Sequence, residues 1–566
     1  MNAPAVESRP SGFKDWHLFI PKLVTVLREG YGARDLRADV FAGITVAIVA
    51  LPLSMALAIA SGVGPERGLF TAIVAGFFIS ALGGSRHQIG GPTGAFVVVV
   101  FNVVQQFGYD GLVVATLMAG VMLIAAGFLR LGTYIKYVPF PVVTGFTSGI
   151  AVIIFSSQVG DILGLKLGHV PGDVFGKWQA YFSALGSFSI AALAVALGSL
   201  AIIILLRRYA PKWPAFLIAI AAGSLAASAL HLDIATIGTR FGGLPNMLPA
   251  PHWPMFNLAE LQKLLPSAFT IFVLGGIESL LSAVVADGMT GRRHRSNLEL
   301  VAQGAANIAS ASMGGIPATG AIARTATNIR SGARSPIAGI VHSLTVLVLM
   351  AAFAPYASYI PLAALGAVLV MVCWNMAEIG AFRIILAGPV GDRLVLLATF
   401  FLTVFVDLSV AIAVGMVMAA FMFMHRMAKV VESETDVPLL QEDVDDFASP
   451  NTAALHREEL PDGVEVFQLN GPFFFGAAAH FEQTLSRAGG RPKILILNMA
   501  GVPLIDITGA ATLRKFLDST LARGTRVILA GVKEGPASVL DGMKVVARRA
   551  ANFTQAVDMS REMLAA

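Results

Sequence analysis

Long apolar stretches joined by short polar segments run through most of this chain. A hydrocarbon core of about 30 Å needs roughly 20 helical residues. Membrane segments are accordingly predicted at 39–60, 68–82, 93–107, 112–129, 142–163, 188–206 and 215–230. A Pro/Gly-rich stretch at 238–254 separates these from a second series at 266–286, 298–313, 319–329, 336–353, 364–376, 394–408 and 409–424. The third stretch of each series is too short to cross as a helix. Each third stretch is introduced by a Gly/Pro phrase: Gly90-Gly91-Pro92-Thr93-Gly94-Ala95 in the first series and Gly314-Gly315-Ile316-Pro317-Ala318-Thr319-Gly320-Ala321 in the second. Matching interruptions in two halves of a membrane protein point to a midplane binding site built from broken helices.

Beyond residue 424 the pattern changes. Seven acidic residues from Glu432 to Asp446 crowd a segment that reads as a solvated linker, 430–460. From 461 to 566 a soluble domain of about a hundred residues is predicted, a size that folds alone. Its strands are expected at 464–469, 493–499 and 526–530, with helices at 477–486, 509–522 and 537–546, an alternation that argues an α/β layer fold. The full division is then an N-terminal segment 1–38, a transmembrane domain 39–429 with repeats at about 39–230 and 266–429, the linker, and the soluble domain.

Composition strengthens this picture. Only 13% of the 566 residues are charged, against roughly a quarter in soluble proteins, which makes the chain a polytopic α-helical membrane protein. The net charge of +5 comes from basic residues between apolar stretches rather than from one patch, so no nucleic-acid partner is expected. If each stretch is one crossing, Arg86, Arg130, Arg207, Arg208, Arg292, Arg293, Arg295, Arg330, Arg334, Arg383 and Arg426 share one side. The positive-inside rule then puts both termini in the cytoplasm and the chain in the cell (inner) membrane. An odd number of crossings per series makes the second half inverted relative to the first. The single cysteine, Cys373, leaves no intrachain disulfide and no cysteine metal cluster. Residues 1–37 lack the charged start and apolar core of a cleavable signal.

The candidate chemistry lies at the paired interruptions. A helix that begins inside the membrane presents unpaired amide N–H groups and the positive end of its dipole, an anion trap. Thr93, Gly94 and Ala95 form one such end, and Thr319, Gly320 and Ala321 the other. Arg324 stands one turn into the second short helix, beside Ala323, where it either holds an anionic substrate or pairs permanently. Glu278 is isolated in the 266–286 segment. It either exchanges a proton or, with the Ser279 and Ser282 hydroxyls, coordinates sodium; a fixed Glu278–Arg324 ion pair is the structural alternative. Gln88, Ser54, Asn102 and Gln105 are further polar residues within reach of a midplane cavity, and Asp287 reads as an interfacial cap. No nucleophile–base constellation, metal-ligand spacing or nucleotide loop is present, so no enzyme and no cofactor beyond a coupling ion, H+ or Na+, is expected.

These residues resemble the SulP (sulfate permease) family of anion transporters. The resemblance is carried by Ala47–Ala56, Gly91-Pro92-Thr93, Glu278–Asp287 and Gly314–Thr325, in that order. Leu504-Ile505-Asp506-Ile507-Thr508-Gly509 resembles the Asp-x-Ser/Thr-Gly turn of a STAS domain. The resemblance implies fourteen segments divided into core and gate domains, substrate held between the third and tenth, homodimers, elevator-like alternating access, and a cytoplasmic STAS domain with room for a protein partner. It makes Arg324 the substrate-site arginine and Glu278 the acidic residue of the eighth segment. Related bicarbonate carriers have a sodium-binding aspartate there, so the glutamate favours proton symport over sodium-coupled bicarbonate symport. Family members carry sulfate, bicarbonate, chloride, oxalate or dicarboxylates, and a channel-like or anion-sensing protein signalling through the STAS domain is the rival from another class. Thr508 occupies the place where anti-sigma-antagonist relatives carry a phosphorylated serine; capping of the following helix by Asp506 or Thr508 is the favoured reading.

Overall fold

The computed structural model describes residues 18–135, 138–168, 170–211, 213–254, 257–435, 460–473, 492–522 and 524–565. The first series folds as α1 (Lys22–Gly30), α2 (Ala33–Ala60), α3 (Pro65–Leu82), α4 (Val97–Phe128), α5 (Gly132–Ile135), α6 (Phe140–Ile162), α7 (Val174–Ser183), α8 (Ile190–Tyr209), α9 (Ala215–Ala229) and α10 (Ile237–Phe241). The second folds as α11 (Leu258–Thr290), α12 (Ser296–Ser312), α13 (Ile322–Arg330), α14 (Ile337–Ala357), α15 (Leu362–Met376), α16 (Ile379–Ala387), α17 (Val390–Phe405) and α18 (Leu408–Thr435). Two very short strands, β1 (Gly90–Gly91) and β2 (Thr319–Gly320), precede α4 and α13.

Among the described residues, nine helices are long and apolar enough to cross a membrane. The difference from seven plus seven has visible causes. The stretches predicted at 93–107 and 112–129 are two helical segments that share the label α4 and meet at Gly108, whose φ of 70° and ψ of −177° lie outside helical geometry, so they count once. The elements α9, α12, α13 and α17 are 15, 17, 9 and 16 residues long, short of the roughly 20 that a crossing helix needs.

Helix packing divides the membrane part into two groups. In one, α4 packs on α11 and α12, α14 on α2 and α3, and α13 on α11. In the other, α6 packs on α15 and α17, and α8 on α9 and α15. Between lipid-immersed helices there is little hydrophobic drive, and close van der Waals approach through small residues takes its place. The α4–α12 contact shows this: a Cβ on Gly120 would stand 2.9 Å from the Gly304 carbonyl, and one on Gly304 would stand 2.9 Å from the Ile124 amide.

A polar stripe on α12 serves the unwound backbone around β1 and β2, whose groups have no water to satisfy them at membrane depth. Glu299 accepts from the amides of Gly84 (2.8 Å) and Ser85 (3.1 Å). Asn307 pairs with both backbone groups of Ala318, at 2.8 Å each. Ser310 donates to the Ile316 carbonyl, and Thr71 accepts from the Ile316 amide. Gln303 braces Glu299 from one turn away (3.0 Å). All of these α12 side chains are buried.

The chain divides into two compact units, Met1–Met416 and Val417–Ala566. The second contains an all-parallel sheet in the order β3 (Val464–Asn470), β4 (Ile494–Gly501), β5 (Arg526–Ala530), β6 (Arg548–Ala550), with helices Ile507–Ala522, Glu534–Gly542 and Phe553–Ala565. Alternate residues of β4 serve opposite faces, as the strand period requires. Leu495, Leu497 and Met499 pack with Leu513, Leu517 and Leu540, while Ile494 and Ile496 pack with Ala556 and Val557. The helix expected at 477–486 lies outside the described residues. The strand β6 and the helix after it were not anticipated, since β6 is only three residues long and two of them are arginines. Asp506 accepts from the Gly509 amide at 2.6 Å and caps the Ile507–Ala522 helix; Thr508 stands in its first turn, and its side chain lies outside the described residues.

Candidate functional site

The two Gly/Pro phrases meet. Gly90 pairs with Gly320 and Gly91 with Thr319 in an antiparallel ladder, and the Ala321 amide donates to the Ile89 carbonyl at 2.9 Å. From this small ladder the chain leaves in two directions, into the 3-10 turn Gly94–Phe96 that leads to α4, and into α13. Thr93 and Ala321 are the residues before these helical starts, and neither start has a side-chain cap. Their first amides are therefore open to a ligand.

A cavity of about 320 Å³ lies between these ends. Pro92, Thr93 and Gly94 line it from one side, and Gly320, Ala321, Ile322, Ala323 and Arg324 from the other, with Glu278 of α11 beside them. Two predicted residues are not on the wall. Ala95 turns into the interior with the 3-10 turn and is fully buried, and the Thr319 hydroxyl donates to the Gly275 carbonyl at 2.9 Å.

Arg324 is 2% exposed. Its Nη2 donates to Ser54 Oγ (3.2 Å) and to the Pro92 carbonyl (3.1 Å), while Nε and Nη1 have no hydrogen-bond partner among the described residues. The guanidinium thus bridges the two phrases and keeps donors in reserve. Gly91, with φ of 152°, makes room for it, since a Cβ there would collide with Nη1.

Glu278 takes its hydrogen bond from Thr93 Oγ1 at 2.8 Å. No ion pair joins it to Arg324, so the fixed bridge held open by sequence reading is not formed. Ser279 and Ser282 face elsewhere. Ser279 accepts from Gln88 Nε2 (2.9 Å) and donates to Glu299 Oε1 (3.3 Å), and Ser282 donates to Thr325 Oγ1 (3.1 Å). Both are fully buried in the packing of α11 against α12 and α13, so the oxygen cluster imagined around Glu278 is not assembled. Of the other polar candidates, Ser54 meets Arg324 and Gln88 packs over Gly320, while Asn102 and Gln105 are not on the cavity wall. Asp287 accepts from the His294 amide (3.0 Å) and closes the turn after α11.

Sequence reasoning overlooked two groups. Asn375, Met376 and Glu378 line the cavity from the end of α15, and Arg207 and Phe216 from α8 and α9. No local pattern marks them, because they come from the other helix group. Glu299, Gln303 and Asn307 did carry a signal: polar residues four apart in an apolar span, on one helix face.

Long packed helices around two broken ones, with a buried cation in the cavity between their starts, define a polytopic membrane carrier. The chain belongs to the sulfate permease family of anion transporters: residues 36–399 match that family's model, and residues 458–548 match the STAS domain. It is 40% identical to YvdB of Bacillus subtilis, named for sulfate transport, over 90% of this chain and 94% of that one. It is 32% identical to the bicarbonate transporter BicA of Picosynechococcus, over 91% and 92% of the two chains. The solved transmembrane domain of a cyanobacterial BicA superposes with a TM-score of 0.62 at 33% identity, covering 68% of this chain and 98% of that one. Murine Slc26a9 in its inward-facing state shares the fold, with a TM-score of 0.82 at 18% identity, covering 99% of this chain and 96% of that one. The relatives are named as transporters, not enzymes.

Proposed function

We propose that the protein is a secondary active transporter of a small anion, sulfate, bicarbonate or a dicarboxylate, coupled to protons and working by elevator-like alternating access in the inner membrane. The anion is held by the amides at Thr93–Gly94 and Ile322–Ala323 and by Arg324. The observation that carries this reading is the guanidinium itself: it is buried at the cavity and has no carboxylate within ion-pair distance and two nitrogens without partners among the described residues. A cation so placed is expensive unless an anion joins it.

Glu278 is the coupling group in this reading. Its partner is the Thr93 hydroxyl, which donates to a carboxylate and accepts from a carboxylic acid, so the contact survives a change of protonation. Thr93 also lines the anion cavity, so one hydroxyl links the two events. Sodium is disfavoured because Ser279 and Ser282 are engaged away from Glu278.

The deciding experiment is uptake of radiolabelled sulfate, bicarbonate and fumarate into proteoliposomes under an imposed proton or sodium gradient, for wild type and Glu278→Gln. Proton-driven accumulation of one anion, lost in the variant, is the expected result. Equilibration without accumulation, indifferent to Glu278, would replace the carrier by a channel or sensor.

A further inference from the structure

A second cavity, of about 500 Å³, lies where α1 and the start of α2 meet the loops after α3, α11 and α13. Its charged wall is formed by Glu29, Asp35, Arg86, His87, Arg292 and Arg334. The arginine bias assigns this face to the cytoplasm. The segment α1 is tied down beside it: the Lys22 amide donates to the Gly83 carbonyl at 3.0 Å, and Arg295 donates to the Ile20 carbonyl and to Thr25 Oγ1.

The two acids on the wall are already matched. Arg86 Nη2 donates to both oxygens of Glu29 (2.6 and 2.7 Å), and Arg334 Nη1 donates to Asp35 Oδ1 (2.7 Å). Arg86 holds the Glu29 carboxyl below its usual range, so it is ionised and neutralised by its partner at neutral pH, and Asp35 is paired in the same way. Two donors remain. Arg292 has neither a hydrogen bond nor an ion pair among the described residues, and it is exposed. His87 is only 6% exposed, and its Nδ1 has no partner among them. Burial pushes the imidazole down to about 4, which leaves it neutral at pH 7 and able to present a single N–H.

We propose that this cavity is a regulatory site for a phosphate-class anion, held by Arg292 and His87 together with the free guanidinium N–H groups of Arg86 and Arg334. Planar guanidinium forks and an imidazole lining one cavity suit a tetrahedral oxyanion with several acceptor oxygens. The site communicates with the transport cavity through the backbone it borders. The His87 carbonyl accepts from Asn328 Nδ2 of α13 (2.9 Å), Gln88 reaches Ser279, and the Ile89 amide donates to Thr325 Oγ1 of α13 (3.1 Å), all immediately before β1. A ligand on residues 86–87 therefore bears on the strand and helix that frame the transport site.

The anion is either free in the cytoplasm or the headgroup of an acidic lipid. The test is the thermal unfolding midpoint of the purified full-length protein, titrated with inorganic phosphate in detergent and, separately, in phosphatidylcholine vesicles with and without phosphatidic acid. The variants are Arg292→Gln, an exposed position whose loss spares the fold, and Arg324→Ala as a control for the transport cavity. A saturable rise with phosphate, about tenfold weaker in Arg292→Gln, the equivalent of one charged hydrogen bond, and unchanged in Arg324→Ala, supports a soluble anion. A rise confined to phosphatidic acid vesicles, with the same dependence on Arg292, supports the lipid. No rise with either probe, or a rise kept in Arg292→Gln and lost in Arg324→Ala, overturns the proposal.

Discussion

Arg324 concentrates the chemistry of the transport site in one side chain. Arg324→Ala removes the buried cation and should weaken anion uptake by about a hundredfold, the lower range for removing a charged partner in a buried site, with the effect in KM. Arg324→Lys keeps the charge but not the fork that spans Ser54 and Pro92 and should recover only a small part; concentration-dependent uptake at fixed gradient measures both. Glu278→Gln keeps a group that can accept from Thr93, so substrate binding should persist within about threefold while gradient-driven accumulation is lost. Binding by equilibrium dialysis set beside accumulation in proteoliposomes separates the two. The Glu278 and Arg324 positions were legible from sequence, because an ionisable residue inside an apolar run stands out against its surroundings. The Thr93–Glu278 contact, which spans 185 positions of the chain, was not.

At the scale of elements, two broken helices need a third to complete them. The unwound segments leave backbone groups that neither helix nor sheet satisfies, and α12 supplies the partners through Glu299, Asn307 and Ser310. Asn307→Leu, close in volume, would leave both groups of Ala318 without partners at a cost of about 2–6 kcal/mol, taking roughly 1–3 kcal/mol for each buried group left unpaired. The expected outcome is a lowered unfolding midpoint and weakened anion binding with Arg324 and Glu278 both intact, checked by a thermal melt and by dialysis on the same preparation. Gly91→Ala tests the ladder from the other side. Its φ of 152° and the guanidinium beside it leave no space for a methyl group, so transport should fall at least about fivefold, for a strain of roughly 1–3 kcal/mol. The interruptions themselves were plain in the sequence as repeated Gly/Pro phrases, and the chain also breaks at Gly108, between the stretches predicted at 93–107 and 112–129; which helix would satisfy the unwound backbone was not legible, since hydropathy does not report packing partners.

For the whole molecule, the relation between the membrane unit and the STAS domain makes a separable prediction. All residues that line the transport cavity lie between Val46 and Glu378. Removing residues 461–566 should therefore lower expression or regulation while leaving substrate affinity within about threefold of wild type, a change under 1 kcal/mol. Affinity measured by dialysis on the truncated carrier checks this, and a large loss would assign the STAS domain a direct part in binding.

The sequence by itself determined the class of this protein: apolar runs of crossing length in two series, paired Gly/Pro interruptions, an isolated acid and an isolated arginine, and a strand–helix tail. Each of these is a local property, set by the cost of burying polar groups in hydrocarbon and by the periods of helix and strand. Only the tertiary structure decided how those pieces act together. It turned Ala95 and Thr319 away from the cavity, sent Ser279 and Ser282 to Gln88 and Thr325, gave Glu278 to Thr93 instead of Arg324, and brought Arg207, Phe216 and Glu378 to the far wall. Hydrogen bonds and cavity walls between residues hundreds of positions apart depend on which helices pack face to face. Many apolar helix faces look alike in sequence, and small residues permit more than one approach, so that choice is made only when the whole bundle packs.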